Sequence, residues 1–467
     1  MDVESPQKFQ MAILPAPIVP ALTSGLRFGR HASGRKLLAA IRVGAALLLA
    51  LCGLLQPARA SEKLWQSLIG GKPDLFLRYR FEYADDAKPG LKQAYASTLR
   101  SAVGYRTGTF RDASLYFQIQ DVRIVGNDRL FNDGSNRNSD RSVITDAEST
   151  EIQQYYLRYG GLPKTVLTLG RQEFTHRLVP SLQRFLGDVT WRQHYQSFDA
   201  AHLVSLAIPH TVLDYSYIWN VNRIFGEDNP RPDAADFRSN SHLLNLQYSG
   251  WSGLKLEGYT YLLEFTSPTA RLFSTATAGL RAQGDRVIAP NLRFGYAGEF
   301  AHQRDYSNNP NAISVNYALA ELGLSYSIGG ILESVGLKYD YERLEGEGGV
   351  RAFQTPLGTN HAFQGFADRF LVTPGDGIQD HFVTFSAKFP GFQINANYHR
   401  FLSDRDSYDY GYEWDMLAEH SFGNNVLAGL KWADYHANQN TLNLTRNSAT
   451  GQAFNLTRFW AYLQFSY

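Results

Sequence analysis

The sequence has almost no cysteine: its one thiol, Cys52, lies near the N-terminus, and only three methionines are present. No apolar run approaches the roughly 20 residues that a membrane-spanning helix needs, and the mean hydropathy is −0.30. The lack of a long apolar run and the low mean hydropathy together exclude a helical membrane protein. Positive charge is not in excess either, because 45 Lys+Arg face 44 Asp+Glu. A nucleic-acid-binding protein that depends on a large basic surface is therefore excluded as well.

The N-terminal residues 1–60 have the pattern of a secretion signal. Val43–Leu55 is an apolar stretch of 13 residues behind a basic segment, and Ala58-Arg59-Ala60 is a small-residue cleavage site. We therefore expect cleavage before Ser61 and a mature protein that forms one domain over residues 61–467.

Two other interpretations of this segment fit the residues less well. A retained membrane anchor needs a longer apolar stretch, and lipoprotein processing at Cys52 places the bulky Leu51 where a small side chain is required. Met11 is an alternative start. Cleavage before Ser61 leaves 38 basic and 42 acidic side chains and no cysteine. Disulfides, thiol catalysis and cysteine-ligated metals are then excluded from the mature chain.

Aromatic residues are abundant, with 27 Tyr and 29 Phe, and the dominant sequence period is two. In the segment 74–83, the apolar side chains of Leu75, Leu77, Tyr79, Phe81 and Tyr83 share one face, and Arg78, Arg80 and Glu82 share the other. Runs of about ten residues with this alternation are typical of an outer-membrane β-barrel, with apolar residues toward lipid and polar residues toward the lumen. A soluble β-sandwich alternates too, but its strands do not keep this length and aromatic content to the C-terminus.

We predict eighteen strands from this alternation. They cover residues 74–83, 95–108, 113–125, 151–160, 165–174, 198–208, 212–222, 241–249, 254–265, 274–284, 291–303, 315–328, 332–344, 381–389, 392–401, 413–422, 426–435 and 457–467. Short and long connections alternate, so the expected fold is an all-β, transmembrane antiparallel barrel with short periplasmic turns and long extracellular loops. A barrel of this size encloses an aqueous channel unless loops obstruct it. The last strand ends in Tyr467, which is similar to an outer-membrane assembly signal.

Strand parity predicts which charged side chains face the lumen. The first four strands contribute five inward arginines, and the later strands contribute acids and lysines: Arg78, Arg80, Arg100, Arg106 and Arg158, then Glu321, Lys338, Asp340, Lys388, Glu413, Asp415 and Glu419. One wall is therefore cationic and the opposite wall mixed, which favours an anion-selective channel. An alternative remains open, in which the arginines pair with inward acids such as Glu82 and only solvate the lumen.

Two blocks of sequence resemble the outer-membrane alginate-export family. They comprise Gly170–Gln172, Phe185–Gln193 and Phe198–Ala200 in the first block, and Thr359–Leu371 and Gly377–Asp380 in the second. The resemblance implies an eighteen-stranded barrel whose arginine-lined pore passes an anionic exopolysaccharide.

Carried over to this chain, the resemblance implies further pore-lining or pore-rim residues: Arg171, Arg192, Asp188 and Asp199. Arg171 has the parity of lipid-facing residues, so either a bulge at Gly170 reverses its side or it lies beyond the apolar band. The second block falls on a long outer loop. We expect this loop to pack against the inner wall or the mouth, with Asp368 and Arg369 as gate residues that bridge to the charged wall.

Motifs of hydrolases, metalloproteases and phosphate-binding loops are lacking, so we predict neither an enzyme nor a cofactor or metal site. Two function classes remain. The first is export of an anionic polysaccharide, which implies periplasmic export proteins as partners. The second is uptake of small anionic or neutral solutes, such as oligosaccharides or aromatic acids. In both cases we expect a monomer in the outer membrane of a Gram-negative cell, inserted by the barrel-assembly machinery among lipid and lipopolysaccharide.

Overall fold

The computed structural model describes residues 58–136, 138–176 and 184–467. Most of the predicted signal segment lies outside these residues. A helix, α1 (Ala58–Ile69), runs across the predicted cleavage point before Ser61, so the cleavage remains a prediction. No helix in the described part of the chain is long and apolar enough to cross a membrane.

Eighteen antiparallel strands close into one barrel. They are β1 (Lys72–Asp86), β2 (Ala94–Arg106), β3 (Ala113–Ile124), β4 (Ser149–Leu162), β5 (Thr165–Gln172), β6 (Ser197–Ser205), β7 (Thr211–Asn222), β8 (Asp236–Trp251), β9 (Leu254–Leu262), β10 (Thr275–Ala289), β11 (Leu292–Asp305), β12 (Ser314–Gly329), β13 (Leu332–Leu344), β14 (Ile378–Phe389), β15 (Phe392–Leu402), β16 (Asp409–Phe422), β17 (Val426–Ala437) and β18 (Leu456–Ser466). The predicted fold class and the strand count are confirmed. Each strand pairs with its neighbours in sequence, and β18 pairs with β1, which leaves no open sheet edge.

Alternation along β1 shows how the sequence produces two faces. The ring of Tyr79 is exposed on the outer face, whereas Arg78 and Arg80 on either side of it are buried inside the barrel. Because successive side chains of a strand point to opposite faces, this pattern follows from the period of two. The outer face is apolar, as a strand in contact with lipid requires.

The two ends of the barrel differ in the length of their connections. At one end the turns are short, such as Pro390–Gly391, where the glycine takes a φ of +70° that a tight turn needs. At the other end the connections are long, and they include residues 125–148, 173–196, 345–377 and 438–455. The short-turn end is the periplasmic side and the long-loop end the extracellular side, as the parity of the strands predicts.

Parts of two long connections lie inside the barrel, and we call the described residues 173–176 and 184–196 the first inner loop and residues 345–377 the second inner loop. The two loops meet in a parallel β-bridge between Leu186 and Leu357, where the amide of Gly187 donates to the carbonyl of Leu357 at 2.9 Å. Phe185 of the first inner loop packs on Phe353 of the second, with ring centroids 5.9 Å apart. Their side chains belong to one buried apolar cluster, which also contains side chains of several barrel strands.

Candidate functional site

Three predicted arginines form the wall on which the first inner loop rests, and we call Arg78, Arg80 and Arg100 the arginine wall. All three point inward and are buried. Their guanidinium groups donate to backbone carbonyls of the loop: Arg78 to Thr190 at 2.9 Å, Arg80 to Trp191 at 2.6 Å and Arg100 to Gln193 at 3.0 Å. The arginine wall therefore holds a stretch of main chain, in addition to giving the lumen positive charge.

The charges of the arginine wall are only partly balanced. Arg80 pairs with Asp146 and lies 3.3 Å from Glu82. Arg78 and Arg100, which are opposite each other in the β1–β2 ladder, have no carboxylate within 4.0 Å in the described ranges. Arg100 instead stacks on the ring of Tyr195, 3.2 Å from its centroid. Among the described residues, these two guanidinium groups thus form no ion pair with a carboxylate.

Two further predicted arginines lie closer to the periplasmic end, and together with Arg78 and Arg100 we call them the arginine column. Arg106 and Arg158 are exposed, and among the described residues neither has a carboxylate within 4.0 Å. Arg106 donates to the hydroxyl of Tyr156 at 2.9 Å and lies 4.7 Å from the ring centroid of Tyr116. Six residues of strand separate Arg100 from Arg106, so the column extends over about 20 Å.

The carboxylate of Asp74 also lies along this column. Asp74 accepts hydrogen bonds from Tyr116 at 3.0 Å and from Gln118 at 3.3 Å. The column thus combines four guanidinium groups and several phenol rings with the carboxylate of Asp74, which is already engaged in hydrogen bonds. Such a surface suits a ligand that carries carboxylates, because guanidinium binds carboxylate with two parallel hydrogen bonds.

The two inner loops are joined by an ion pair between predicted site residues. Arg192 donates to Asp368 at 2.5 Å and lies 3.7 Å from Glu82 of β1. His361 contacts the other oxygen of Asp368 at 2.7 Å and stacks on Trp191, with ring centroids 4.4 Å apart. Burial, together with the nearby charges of Lys431 and Arg192, lowers the pKa of His361 to about 3, so the ring is neutral at pH 7.

The second inner loop is fixed to the barrel at several points. Arg369 reaches both carboxylate oxygens of Asp86, at 3.0 and 3.2 Å. The amides of Phe366 and Ala367 donate to Asp415 at 3.1 Å and to Glu413 at 2.7 Å. Asp368 therefore connects the second inner loop to the first inner loop, and Arg369 connects it to the barrel wall.

The first inner loop crosses the lumen from one wall to another. Trp191 is bound by Arg80 on β1, and Phe185 lies 5.4 Å from Tyr259 on β9, nearly opposite in a barrel of eighteen strands. Arg184 donates to Glu342 of β13 at 2.6 Å. The backbone of this loop, anchored on three sides, narrows the channel at the level of the arginine wall.

Sequence reasoning missed several residues of this site. Arg184, Glu342 and Asp146 are buried members of ion pairs that position the loops. Glu342 is inward by parity, and that was the only signal available for it. Arg184 and Asp146 lie in loops, where no periodic pattern indicates the direction of a side chain.

The placement of two predicted pore residues is corrected by the structure. Arg171 is opposite Tyr155 in the β4–β5 ladder and opposite Asp199 in the β5–β6 ladder, and it binds Asp199 at 2.8 Å. Tyr155 is exposed on the outer face, so this ion pair also lies on the outer face, near the extracellular ends of the strands. Gly170 takes a φ of +127° but does not reverse the side of Arg171.

Several charged residues predicted on the later strands form ion pairs with one another. On the opposite wall, Lys338 pairs with Asp340 at 2.9 Å and lies 3.6 Å from Glu321, and Arg281 pairs with Glu299 at 2.8 Å. Asp188 contributes its backbone carbonyl, which accepts from the amide of Gln196 at 2.7 Å. The wall across from the arginine column therefore carries both signs of charge.

The closed barrel, its unequal ends and its inward loops define an outer-membrane channel. The fold is similar to solved structures of OccAB2 from Acinetobacter baumannii (14% identity, TM-score 0.65, covering 86% of this chain and 99% of that chain) and OccAB4 from the same organism (12%, 0.61, 85% and 98%). It is also similar to OpdK of Pseudomonas aeruginosa, solved with vanillate (12%, 0.60, 86% and 100%). At these identities the likeness shows the fold alone.

A family match over most of the barrel identifies the family to which the chain belongs. Residues 74–375 match the alginate-export family, so the chain belongs to that family of outer-membrane barrels. No curated protein sequence matches the chain. The resemblance read from the two sequence blocks is thereby confirmed.

Proposed function

We propose that the protein is an anion-selective channel that passes an anionic polysaccharide, such as a chain of uronic acids, out across the outer membrane. The observation that carries this proposal is the column formed by Arg78, Arg100, Arg106 and Arg158, none of which has a carboxylate within 4.0 Å in the described part of the chain. Each sugar of a uronate chain offers one carboxylate, and successive carboxylates can move from one guanidinium to the next. Family membership supports the same cargo class.

The inner loops set a condition on this transport. Because the first inner loop crosses the lumen between Arg80 and Tyr259, a polymer needs this loop to move aside before it passes. Partners in the periplasm that deliver the polymer are part of this proposal, as are the assembly machinery and lipopolysaccharide that surround an outer-membrane barrel.

The second candidate is uptake of small carboxylates, and the fixed position of the loops favours it. Small solutes pass beside a loop that stays anchored, whereas a polymer does not. A solved barrel of the same fold, OpdK, contains vanillate, which is a small aromatic carboxylate. The arginine column suits both candidates, so they differ in the size of the solute and not in its charge.

Planar-bilayer recordings of the purified mature protein test both candidates. Reversal potentials in a salt gradient should show a preference for anions, and a preference for cations would contradict the whole proposal. Oligouronates of increasing length should then block the current at decreasing concentrations if the lumen binds a polymer. Block by vanillate, with no dependence on oligouronate length, would favour uptake of small acids.

Substitutions in the arginine column test whether it produces the preference for anions. The double substitution Arg106→Gln and Arg158→Gln should reduce the preference for anions and weaken the oligouronate block. Arg293→Gln is the matched control, since Arg293 is exposed near a periplasmic turn and already pairs with Asp285. Neutral oligosaccharides of the same length control for simple steric block.

A further inference from the structure

A group of metal-ligating side chains lies where the start of the first inner loop meets β6 and β7 of the barrel wall. It consists of His176 of the loop, His202 of β6 and Asp214 of β7. The Nε2 atom of His202 lies 2.7 Å from Oδ1 of Asp214, and that of His176 lies 3.5 Å from the same oxygen. The ligand atoms of the three residues all lie within 4.8 Å of one another. This is the one such group among residues 58–136, 138–176 and 184–467.

The arrangement of the rings supports a shared ligand. The planes of the two imidazoles differ by 16°, with centroids 6.1 Å apart, and both direct Nε2 at one carboxylate oxygen. Phe174 stacks on His202 at 4.4 Å and on His176 at 5.9 Å, which covers the group on one side. Ser216, whose hydroxyl lies 2.7 Å from Nε2 of His176, adds another oxygen donor.

The donor set indicates the class of ion. Two imidazole nitrogens with one carboxylate oxygen suit zinc and its neighbours among the transition metals, whereas calcium and magnesium prefer oxygen ligands alone. Tetrahedral zinc with bonds of about 2.1 Å separates its ligand atoms by roughly 3.4 Å. The separation of 3.5 Å between His176 and Asp214 fits this geometry, and the His202–Asp214 contact has to open modestly.

We propose that His176, His202 and Asp214 bind a divalent transition-metal ion of the zinc class, with water or Ser216 as the fourth ligand. The ion would join the start of the first inner loop to β6 and β7. The other end of the loop is held by the arginine wall, so metal binding would restrain the segment that crosses the lumen. This inference does not depend on which solute the channel carries.

The alternative is a purely hydrogen-bonded cluster in which the aspartate orients the two histidines. The chain offers a matched comparison, because His436 contacts Asp434 at the same distance of 2.7 Å without a second histidine nearby in the described residues. A simple His–Asp pair of that kind should not bind a metal ion.

The test uses the tag-free mature barrel in detergent, titrated with Co²⁺ and with Zn²⁺. We expect one equivalent of Co²⁺ to give the visible absorption of a tetrahedral site, and Zn²⁺ to displace it. His202→Ala and His176→Ala should both lose the band, whereas His436→Ala should keep it. Heat-modifiability on a gel shows whether each variant is folded. Because His176 lies in a loop, His176→Ala leaves the sequence of every strand unchanged.

Two results would overturn the proposal. One is a wild-type barrel without the tetrahedral Co²⁺ band, and the other is a band that persists in folded His176→Ala and His202→Ala. In bilayers, micromolar Zn²⁺ should reduce current fluctuations of the wild type and of His436→Ala but not of His176→Ala. An equal response of all three proteins would place the zinc effect elsewhere and contradict the assignment.

Discussion

Arg192 and Asp368 form a buried ion pair of 2.5 Å that joins the two inner loops inside the barrel. Both residues also contact other parts of the site, Arg192 near Glu82 of β1 and Asp368 with His361. Removing one member of such a pair leaves the other charge buried without its partner, which typically costs about 3–5 kcal/mol. Substitution of one member of this pair should therefore weaken the contact between the two inner loops.

Asp368→Asn should loosen the inner loops while the barrel stays closed. The charge of Arg192 would be left next to an amide, and we expect larger conductance with more frequent fluctuations in bilayer recordings. Lys92→Ala is the control, because Lys92 and Asp140 form an ion pair at 2.9 Å that is largely exposed. Exposed pairs contribute about 0–1 kcal/mol, so this variant should conduct like the wild type. Equal conductance of both variants would show that the pair does not restrain the loops.

Substitutions at Arg78 should separate its charge from its role as an anchor. Lysine keeps the positive charge but cannot reproduce the fork that reaches both Thr190 and Gln193, each at 2.9 Å. Arg78→Lys should therefore raise conductance and keep the preference for anions, whereas Arg78→Gln should raise conductance and reduce that preference. Reversal potentials and single-channel conductance measure the two effects. Loss of selectivity in Arg78→Lys would contradict this separation.

Shortening the second inner loop should widen the channel. Because β14 begins at Ile378, the replacement has to end before it, and residues 355–375 are suitable for exchange with a short Gly/Ser linker. The change removes Arg369 and its contact with Asp86, and we expect a marked rise in single-channel conductance with heat-stable folding intact. Normal folding with unchanged conductance would mean that this loop does not narrow the pore.

Deletion of Phe465–Tyr467 should impair insertion into the outer membrane. Tyr467 exchanges backbone hydrogen bonds with Leu75 at 2.9 and 3.0 Å, so these residues complete the pairing of β18 with β1. Membrane fractionation and heat-modifiability measure the effect.

The control deletion has to avoid the loop at 407–410, because Tyr410 is buried and donates to the carbonyl of Gly377 at 2.9 Å. Residues 348–350 are a better choice, since Val350 is 79% exposed. Equal insertion of the two deletions would argue against β18 as the assembly signal.

Acid should release the docked loops through His361. The docked ring has a pKa of about 3 against an ordinary value of 6.5, so undocked loops bind a proton more readily. The stabilisation that the neutral ring gives is complete above pH 6.5 and is lost as the pH falls toward 3. Protease cleavage within the inner loops should rise over this range, and the rise should be smaller in His361→Gln. The same rise in both proteins would exclude His361 as its cause.

Period-two alternation predicted the strands and the inward side of Arg78, Arg80 and Arg100, because in a barrel each strand has one lipid face and one lumen face. It could not predict what covers these side chains. Their partners are backbone carbonyls at 190–193, and a carbonyl has no sequence signature. Arg171 lies on the outer face, as its parity predicts, whereas the family block had implied the lumen or the pore rim. Loop residues such as Arg184 follow no period, so their ion pairs required the structure.

Glu82 connects the position of the first inner loop to the assembly of the barrel. This carboxylate lies on β1 beside the junction with β18, and it accepts from Arg458 of β18 at 2.8 Å while Arg192 of the loop lies 3.7 Å away. The first inner loop, which narrows the lumen, thus lies on the inner side of the junction between the first and last strands. We therefore expect closure of the barrel and docking of the loop to stabilise each other, so that a barrel that closes at this junction also acquires its constriction.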